Sequence, residues 1–485
     1  MSLTKVTYSL IEGAPINALD YGADPTGVED STSAIQSAIN YVKTNGGKLY
    51  IPTGTYKTGA LNIGNATKYF EIVGAGRGNT LFKHKDGNGT LLNGTANANG
   101  LLLQGFSIDC EYSTYSHPNA NHGVAISDTN RIKIVDVFVT DYKNSAILVF
   151  ATVPTTYSDV QLIDCEIDGL NAANNGILAA DVDRPVFERC TVRNLGLTGS
   201  PGYGIQFKNV VRWGAMNDCF ADTCVAGIAF GNDSGVDGVQ FATLNNLRVV
   251  NCTTGFVASR SKNNAINNLF IDMNSSVENA LDLEIGCVGN SFKNVIVNDV
   301  NALRAASRFR SGASDNYVHF GAVDNINTTG VIAAFNSGAQ YNLVELARMT
   351  NPRIRSGGVA TMATFSTAAD GNGFSYSGLP MWELRTIASG VITLRNKCST
   401  SVLLATEGGA ASDDLDTITA EEEGRTIIVS TESSARDVVV KNGTGNILLD
   451  GSDCTLNNAA DSLTLKYSAV VSAWVEVSRA VSNGA

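Results

Sequence analysis

An internal repeat in the middle of the chain limits the fold more than any other feature of the sequence. Short segments recur every 23 to 30 residues, each beginning with Gly or Ala and continuing with alternating apolar residues. Sequence repeats with periods of roughly 20–50 residues are typical of solenoids. Ile205 and Phe207 show the alternation, which is typical of a β-strand with one face inward. The seven segments begin at Gly123, Ala146, Gly176, Gly204, Gly227, Gly255 and Ala280.

A second set of strand-like runs follows each of these segments. They read "RIKIVDV", "VQLIDCEI", "PVFERCTV", "WGAMNDCF" and "LRVVNCTT". Two or three short strands per repeat, with Asn and Gly at the corners, predict a parallel β-helix whose coils stack about 4.8 Å apart. A single coil cannot bury its own apolar face, so the core must come from stacking.

Cysteines recur in the second set of strands. The alignment of the repeats predicts an inward ladder of Cys165, Cys190, Cys219 and Cys252, with Cys110 two coils earlier and Val137 between. A buried free cysteine behaves as a small hydrophobic residue. We expect thiols rather than disulfides, because the chain is expected to fold in a reducing cytosol.

Charged residues next to the ladder also align. One row contains Asp136, Asp164, Arg189, Asp218 and Asn251, and a second contains Asp168, Arg193 and Asp222. An Arg between two acids predicts cross-strand pairing worth about 0.2–1 kcal/mol per contact. Glu166 lies outside both rows, so we expect it to point outward without a partner.

The sequence before the repeat predicts a cap. Asp30 or Ser31 can begin a helix whose apolar stripe includes Ile35 and Ile39, and Gly46 can end it. Strands are predicted at about 48–51 and 55–61. The predicted organisation is an N-terminal segment 1–20 for attachment or left by a vector, a helix-plus-strand cap 21–62, a β-helix 63–355 and a C-terminal β-module 356–485.

Both ends of the chain resemble one family. "DYGADPTG", "STSAIQSAIN" and "LYIPTGTY" resemble the N-terminal signature of the pectate-lyase-like superfamily, which includes bacteriophage tailspike depolymerases. "DLDTI", "VVVKNGTGN" and "WVEVSR" resemble a C-terminal module of phage tail fibres and tailspikes. The resemblance implies an all-β chain: a right-handed parallel β-helix with a short N-terminal helix cap and a C-terminal β-sandwich-like module, which serves trimerisation and in some members carbohydrate binding.

The same resemblance implies a function. It implies a homotrimeric tailspike that recognises and cleaves a bacterial surface polysaccharide: capsule, exopolysaccharide or O-antigen. Such a protein is made in the host cytoplasm and is carried in the virion, bound to phage tail or baseplate proteins. The alternatives are a receptor-binding spike without enzymatic activity, a polysaccharide lyase of the same fold and a bacterial pectin-degrading enzyme. A net charge of −12 disfavours nucleic acid as a partner. No membrane insertion, cofactor or metal site is expected, since apolar runs are short and the chain has 4 His residues.

Catalytic residues are predicted from geometry, because no catalytic motif of the family transfers residue by residue. Asp181 and Asp183 lie two positions apart and, on a strand, would share a face with Cα atoms about 6.6 Å apart. Such a pair can provide the acid and the base or nucleophile of a glycosidase. Glu166 and Glu188 are the second choice. The alternative is that Asp181 and Asp183 cap a turn, with Arg184 neutralising them.

Substrate-binding residues are predicted from the longest excursions of the solenoid, which usually gather on the binding face. These excursions could wall a groove and present Tyr115, Tyr157 and Tyr203 for stacking on sugars. Lys208 and Arg184 are predicted to bind substrate, and for a lyase the basic group near the acids is Lys208, Arg260 or Arg184.

Overall fold

A computed structural model provides the architecture. It describes residues 14–95, 100–116, 122–154, 159–171, 173–196, 202–231, 238–273, 279–298, 305–324, 331–347, 349–350, 361–365, 373–376, 382–394, 401–419 and 423–481. The chain is all-β, 7% helical, with a parallel β-solenoid of about 14 turns and a separate C-terminal sheet module. The predicted fold class is therefore confirmed. The first compact unit comprises 1–339 and 349–364, and the second comprises 340–348 and 365–485.

The N-terminal cap contains the predicted helix, Thr32–Asn45. The helix buries Ile35 and Ile39. Ser31 is its N-cap residue and forms no side-chain cap hydrogen bond, whereas a side-chain oxygen of Asp30 accepts the backbone N–H of Thr32 (2.9 Å). Gly46, with φ 79°, ends the helix by donating its N–H to the carbonyl of Val42 (2.8 Å). The other helical segments described are Ala18–Tyr21, Tyr112–Tyr115 and Glu407–Gly409.

Each coil of the solenoid contributes strands to two parallel sheets. Sheet 1 contains Leu61–Asn62, Leu92–Thr95, His122–Ser127, Ser145–Phe150, Asn175–Ala180, Tyr203–Lys208, Ala226–Gly231, Thr254–Ala258, Leu281–Leu283, Ala305–Phe309, Val331–Phe335 and Thr361–Phe365. Sheet 2 in this unit contains Ile16–Asn17, Thr26–Asp30, Gly47–Ile51, Gly54–Thr58, Phe70–Gly74, Thr80–His84, Leu101–Asp109, Ile132–Thr140, Val160–Ile163, Glu166–Asp168, Val186–Glu188, Thr191–Arg193, Ala215–Asn217, Phe220–Asp222, Thr243–Val250, Ala265–Asp272, Ser291–Asn298, Tyr317–Asp324 and Met349–Thr350. We call the connection from a sheet 1 strand to the following sheet 2 strand corner 1. The return connection to sheet 1 is corner 2.

A bend divides sheet 2 into two halves. At the bend Asp136, Asp164, Arg189 and Asp218 adopt the left-handed conformation, with φ between 51° and 55°. Asp and Asn tolerate this conformation better than most residues, because their short polar side chains can bond to the local backbone. The next residue of each coil turns inward, which explains why apolar side chains and thiols follow the charged row.

The cysteine ladder is partly as predicted. Cys165, Cys190 and Cys219 follow the bend in successive coils and are buried. Leu247 takes the next position, since Asn217 pairs with Asn245 and Phe220 pairs with Arg248.

The predictions for Cys252, Cys110 and Asn251 were wrong. Cys252 stacks at corner 2, where the backbone N–H of Cys224 lies 3.4 Å from its sulfur. Val137 pairs with Phe106, so Phe106 occupies the ladder position in that coil and Cys110 lies further along the chain. Asn246, rather than Asn251, follows Asp218 in the bend row and donates to its carboxylate (3.0 Å). The eight cysteines in the described residues are free and buried.

Aromatic and amide side chains fill the interior. Phe187, Phe207, Phe230, Phe256 and Phe292 stack along the solenoid with successive ring centroids 5.1, 5.8, 5.2 and 5.3 Å apart. A buried row of Asn264, Asn290 and Asn316 links its coils through side-chain hydrogen bonds of 2.8 and 2.9 Å. Buried amides must be satisfied in this way, because an unpaired buried polar group is costly.

The second unit is the predicted separate β-module, but much of its pairing is parallel rather than that of an antiparallel sandwich. Its strands are Leu343–Leu346, Gly373–Tyr376, Trp382–Thr386, Val391–Thr393, Ser401–Ala405, Ser412–Leu415, Thr417–Thr419, Thr426–Thr431, Asp437–Val440, Ile447–Leu448, Cys454–Leu456, Ser462–Ser468 and Ala473–Ala480. Strand alternation reports which face is buried, not the direction of the neighbouring strand, so the sequence could not decide between these arrangements. Trp474 is fully buried, stacks edge-on against Tyr467 and donates to the carbonyl of Ile418 (3.1 Å).

Candidate functional site

The predicted site residues do not form one site. Asp181, Asp183 and Arg184 lie in corner 1, close to the end of the strand Tyr203–Lys208, whose last carbonyl accepts the backbone N–H of Asp181 (3.2 Å). Tyr115 lies at corner 2, Tyr203 begins the sheet 1 strand that follows corner 2, and Tyr157 is outside the described residues. The long excursions are therefore divided between two corners rather than gathered on one face.

Asp181 and Asp183 are not on a strand, because Asn175–Ala180 ends just before them. The carboxylate of Asp181 accepts the side-chain amide of Asn209 (2.8 Å) and the backbone N–H of Val210 (3.3 Å), so it caps the turn. Asp181 therefore caps a turn, although the turn belongs to the next coil rather than to the segment before Pro185. The Arg184 guanidinium contacts Asp159 (3.1 Å), and its charge also acts on the carboxyl of Asp183.

Asp183 differs from its neighbour. One of its carboxylate oxygens is buried and has no hydrogen-bond partner among the described residues. Burial raises the pKa of the Asp183 carboxyl, although Arg212 and Arg184 oppose the shift. A proton donor requires a shift in this direction.

Glu166 points outward as predicted, but the expectation that it has no partner was wrong. Its carboxylate lies between the guanidinium groups of Arg77 (3.1 Å) and Arg193 (2.9 Å). The predicted contact between Asp164 and Arg189 is present and bidentate (2.7 and 3.0 Å). Arg193 lies beside Asp168 in the sheet but forms its ion pair with Glu166.

Glu188 lies on the other side of the bend from the position of Glu166. It ends the strand Val186–Glu188 and is 3.6 Å from the guanidinium of Arg189. Glu166 belongs instead to the second half of sheet 2, paired with Phe138 and Thr191. The two glutamates thus occupy different halves of the sheet.

A carboxyl pair that the sequence analysis missed lies at corner 2. The strand Leu101–Asp109 ends there, Cys110 turns inward, and Glu111 adopts a left-handed conformation with φ 55°. The backbone N–H of Glu111 donates to a carboxylate oxygen of Asp109 (3.0 Å), and the two side chains share a further hydrogen bond. The short helix Tyr112–Tyr115 begins immediately afterwards, with Glu111 as its N-cap residue.

The two carboxyls differ in protonation. Burial raises the pKa of Asp109 to about 6; the backbone N–H of Glu111 opposes the shift, while the charges of Glu111 and Asp141 add to it. Burial also disfavours ionised Glu111, but hydrogen bonds from Lys83 (2.7 Å), Thr114 and Asp109 outweigh it and lower its pKa. A carboxyl that titrates near neutrality therefore lies against one that stays ionised.

Neighbouring groups hold this pair in place. The carboxylate of Asp141 accepts the backbone N–H (2.8 Å) and the hydroxyl (2.6 Å) of Ser113, which fixes the start of the excursion. The Lys143 ammonium lies 5.5 Å from the ring centre of Tyr112, and Tyr115 at the end of the helix is exposed. The signal in the sequence was two acids flanking a buried Cys directly before a long excursion.

The described residues contain no group of three or more His, Cys, Asp or Glu side chains placed to hold a metal ion. None of their helices is long and apolar enough to span a membrane.

Sequence comparison identifies the family. The pattern described as rhamnogalacturonase A/epimerase, pectate lyase-like, matches residues 15–282, more than half of the chain. The chain belongs to this pectate lyase-like family. Alginate lyase 7 of Azotobacter vinelandii is 39% identical over 102 residues, which cover 19% of this chain and 12% of that protein. Mannuronan C5-epimerase AlgE5 of the same organism is 41% identical over 80 residues, which cover 15% and 8%. The chain thus spans a small part of these relatives.

Solved structures with the same fold include two bacteriophage proteins and an epimerase. The N-terminal fragment of bacteriophage Phi29 gene product 12 has a TM-score of 0.53 at 14% identity, covering 90% of this chain and 86% of that one. Tailspike protein 3 of bacteriophage CBA120 has a TM-score of 0.52 at 11% identity, covering 96% and 69%. The A-module of Azotobacter vinelandii mannuronan C-5 epimerase AlgE6 has a TM-score of 0.52 at 15% identity, covering 75% and 98%. At these identities the likeness shows the fold.

Proposed function

We propose that this protein is a homotrimeric phage tailspike that binds and cleaves a bacterial surface polysaccharide, with Asp109 as the group that transfers a proton. The observation that carries the proposal is the carboxyl pair at corner 2, where Asp109 has a pKa of about 6 beside ionised Glu111. A group that transfers protons near neutral pH needs such a pKa. The pectate lyase-like family and the tailspike among the structural neighbours support the class of substrate.

In a hydrolase, protonated Asp109 would donate its proton to the glycosidic oxygen as the bond to the sugar breaks. A glycosidase needs its second carboxylate roughly 5–9.5 Å from the first. Glu111 is in direct hydrogen-bonding contact with Asp109, so its role is to keep the pKa of Asp109 high. The base or nucleophile is then another carboxylate, and Asp141 is the candidate, because its charge acts on Asp109.

A lyase is the second candidate, and the close contact of the two carboxyls favours it. Ionised Glu111 would remove the proton beside a uronate carboxylate, and Asp109 would protonate the leaving oxygen, so one double bond forms as one glycosidic bond breaks. Both transfers occur within a small region, which suits two carboxyls in hydrogen-bonding contact.

Asp183 in corner 1 is the competing position for the proton donor. Its raised pKa and its buried oxygen agree with the role predicted from the sequence. Asp181, which caps the turn, would serve as its base or nucleophile, with Arg184 and Lys208 binding substrate. Glu166 would have to give up two ion pairs to act, and Glu188 one.

The test is incubation of the purified protein with a panel of bacterial capsules, exopolysaccharides and O-antigens. Fragment size reports cleavage, and ultraviolet absorbance of unsaturated uronates separates a lyase from a hydrolase. We expect Asp109→Asn to lose at least 100-fold in rate, the usual contribution of a general acid, and Asp183→Asn to stay within a few fold of wild type. The reverse result would move the site to corner 1.

The remaining parts of the proposal have their own tests. Light scattering should give three copies per particle, and a clean monomer would contradict the trimer. Binding of the phage tail or baseplate can be measured by co-sedimentation with particles that lack the spike. If a polysaccharide is bound tightly but stays intact, the protein is a receptor-binding spike without enzymatic activity.

A further inference from the structure

Two large aromatic side chains are exposed next to each other at corner 1. Trp213 is 52% exposed and Phe241 is 45% exposed. Their rings are stacked, with centroids 6.1 Å apart and planes 19° from parallel. Exposed apolar patches on soluble proteins often mark binding sites, and flat aromatic faces suit the apolar faces of sugar rings.

The backbone makes these two residues more unusual. Trp213 and Phe241 have φ of 51° and 56°, a left-handed conformation that is unfavourable for bulky side chains. They belong to a row in which each backbone N–H donates to the coil above: Arg184 to Arg212, Trp213 to Gln240, and Phe241 to Lys262. The next position of the row is Asn263, a residue type suited to this conformation. The two aromatics therefore strain the backbone and gain little burial in return.

A charged row lies immediately beside the aromatic one. Successive bridges pair Asp183 with Arg212, Arg212 with Gln240 and Gln240 with Lys262. The cations Arg184, Arg212 and Lys262 thus lie on both sides of the aromatic pair, with Asp183 at one end. Asp159 contacts Arg184 (3.1 Å) and Asp183 is bridged to Arg212, so one cation is in excess beside the exposed aromatics, in a chain whose net charge is −12.

We propose that this surface, which we call the corner 1 strip (Arg184, Arg212, Trp213, Phe241 and Lys262), binds an anionic polysaccharide running along the solenoid axis. The exposed surfaces of the two rings, those not turned toward each other, would contact successive sugar rings, and the cations would pair with the carboxylates of those sugars. Coils repeat about every 4.8 Å, so the strip presents its contacts in line along one direction. The inference rests on the proposed function and adds its substrate class, but the strip is separate from the carboxyl pair at corner 2.

The test compares wild type with the double variant Trp213→Asn/Phe241→Asn. Asn follows the aromatics in the same row at position 263, so it should keep the backbone conformation. The probes are polygalacturonate, alginate and hyaluronan as anionic polymers and dextran as a neutral one. We expect the wild type to bind at least one anionic polymer and the double variant to bind it at least tenfold more weakly. Arg212→Gln should weaken binding and reduce its dependence on salt.

The matched control is Tyr41→Ala, which removes an aromatic that is 46% exposed on the helix Thr32–Asn45. It should leave binding unchanged. Equal binding by the double variant and wild type, equal binding of dextran, or no binding of any anionic polymer would overturn the proposal. So would a double variant that loses its oligomeric state, because the strip would then be an interface between copies. Asp109→Asn should bind normally, so failure of the catalytic proposal is distinguishable.

Discussion

Removing the side chain of Asn290 should destabilise the solenoid strongly. Its amide nitrogen donates to the carbonyl of Ser261 (2.9 Å) and to the side chain of Asn316 (2.9 Å). Its amide oxygen accepts from the backbone N–H (3.2 Å) and the side chain (2.8 Å) of Asn264. All three asparagines are buried, so water cannot replace these bonds.

The expected loss follows from what each partner retains. After Asn290→Ala, the side chain of Asn264 still donates to Val239, and the carbonyl of Ser261 still accepts from Val288. The backbone N–H of Asn264 loses its partner, which costs about 1–3 kcal/mol, and each of the other three bonds contributes about 0.5–1 kcal/mol. The free energy of unfolding should therefore fall by about 2.5–6 kcal/mol.

The assay is urea unfolding followed by circular dichroism, or the unfolding rate if refolding is incomplete. The control is Asn267→Ala, whose half-buried side chain donates to Asn245 (3.0 Å) in a similar row on the outer face. Water can satisfy its partners, so the loss should be about 1 kcal/mol or less. Equal losses for the two variants, or a loss below about 1 kcal/mol for Asn290→Ala, would refute the reasoning.

Three further outcomes are expected. The pKa of Asp109 is raised from 3.8 to about 6, so its contribution to stability is present below about pH 4 and is lost as the pH rises through 6. Asp109→Asn, which stays neutral, should therefore raise the melting temperature at pH 7.5 and leave it nearly unchanged at pH 4; a lower melting temperature at pH 7.5 would contradict this. Arg310→Leu should lower the free energy of unfolding, measured in urea, by about 3–5 kcal/mol, because the buried carboxylate of Asp282 loses its bidentate partner (2.9 and 2.7 Å). Adding Asp282→Asn to the same chain should recover part of the loss. The eight described cysteines should resist a thiol reagent until the protein unfolds, as mass spectrometry of labelled peptides can check; rapid labelling of Cys190 in the native protein would contradict its burial.

The sequence predicted the solenoid well, because stacking repeats the same requirement in every coil. A Cβ atom added at Gly204 would lie 2.4 Å from a backbone oxygen of the next coil, and one added at Gly227 would lie 3.0 Å from such an oxygen. A small residue therefore recurs at this position. Cys165, Cys190 and Cys219 were aligned correctly because their coils share the same bend. The alignment placed Cys252 wrongly because the strand Thr243–Val250 is continuous through the bend. The alternation of apolar residues therefore does not show where the bend lies in this coil.

The carboxyl pair could not be predicted in the same way. The contact between Asp109 and Glu111 depends on the left-handed conformation of Glu111, which does not follow from strand periodicity. Asp181 and Asp183 are two residues apart, as Asp109 and Glu111 are, but the strand ends before Asp181. Both acids therefore lie in a turn, where Asp181 accepts hydrogen bonds as a cap and Asp183 does not. Spacing indicates a shared face only where the backbone continues as a strand.

The most direct test of the catalytic proposal is the pH dependence of kcat/KM on a polysaccharide that the protein cleaves, for wild type and Glu111→Gln. If Asp109 donates a proton, the wild-type rate should fall about tenfold per pH unit above a pKa of about 6. Replacing ionised Glu111 with a neutral side chain removes a charge that raises this pKa, so the falling limb should move to lower pH. Two results would contradict the role of Asp109: a fall in kcat/KM that begins at the same pH in Glu111→Gln as in wild type, or a wild-type kcat/KM that does not begin to fall near pH 6.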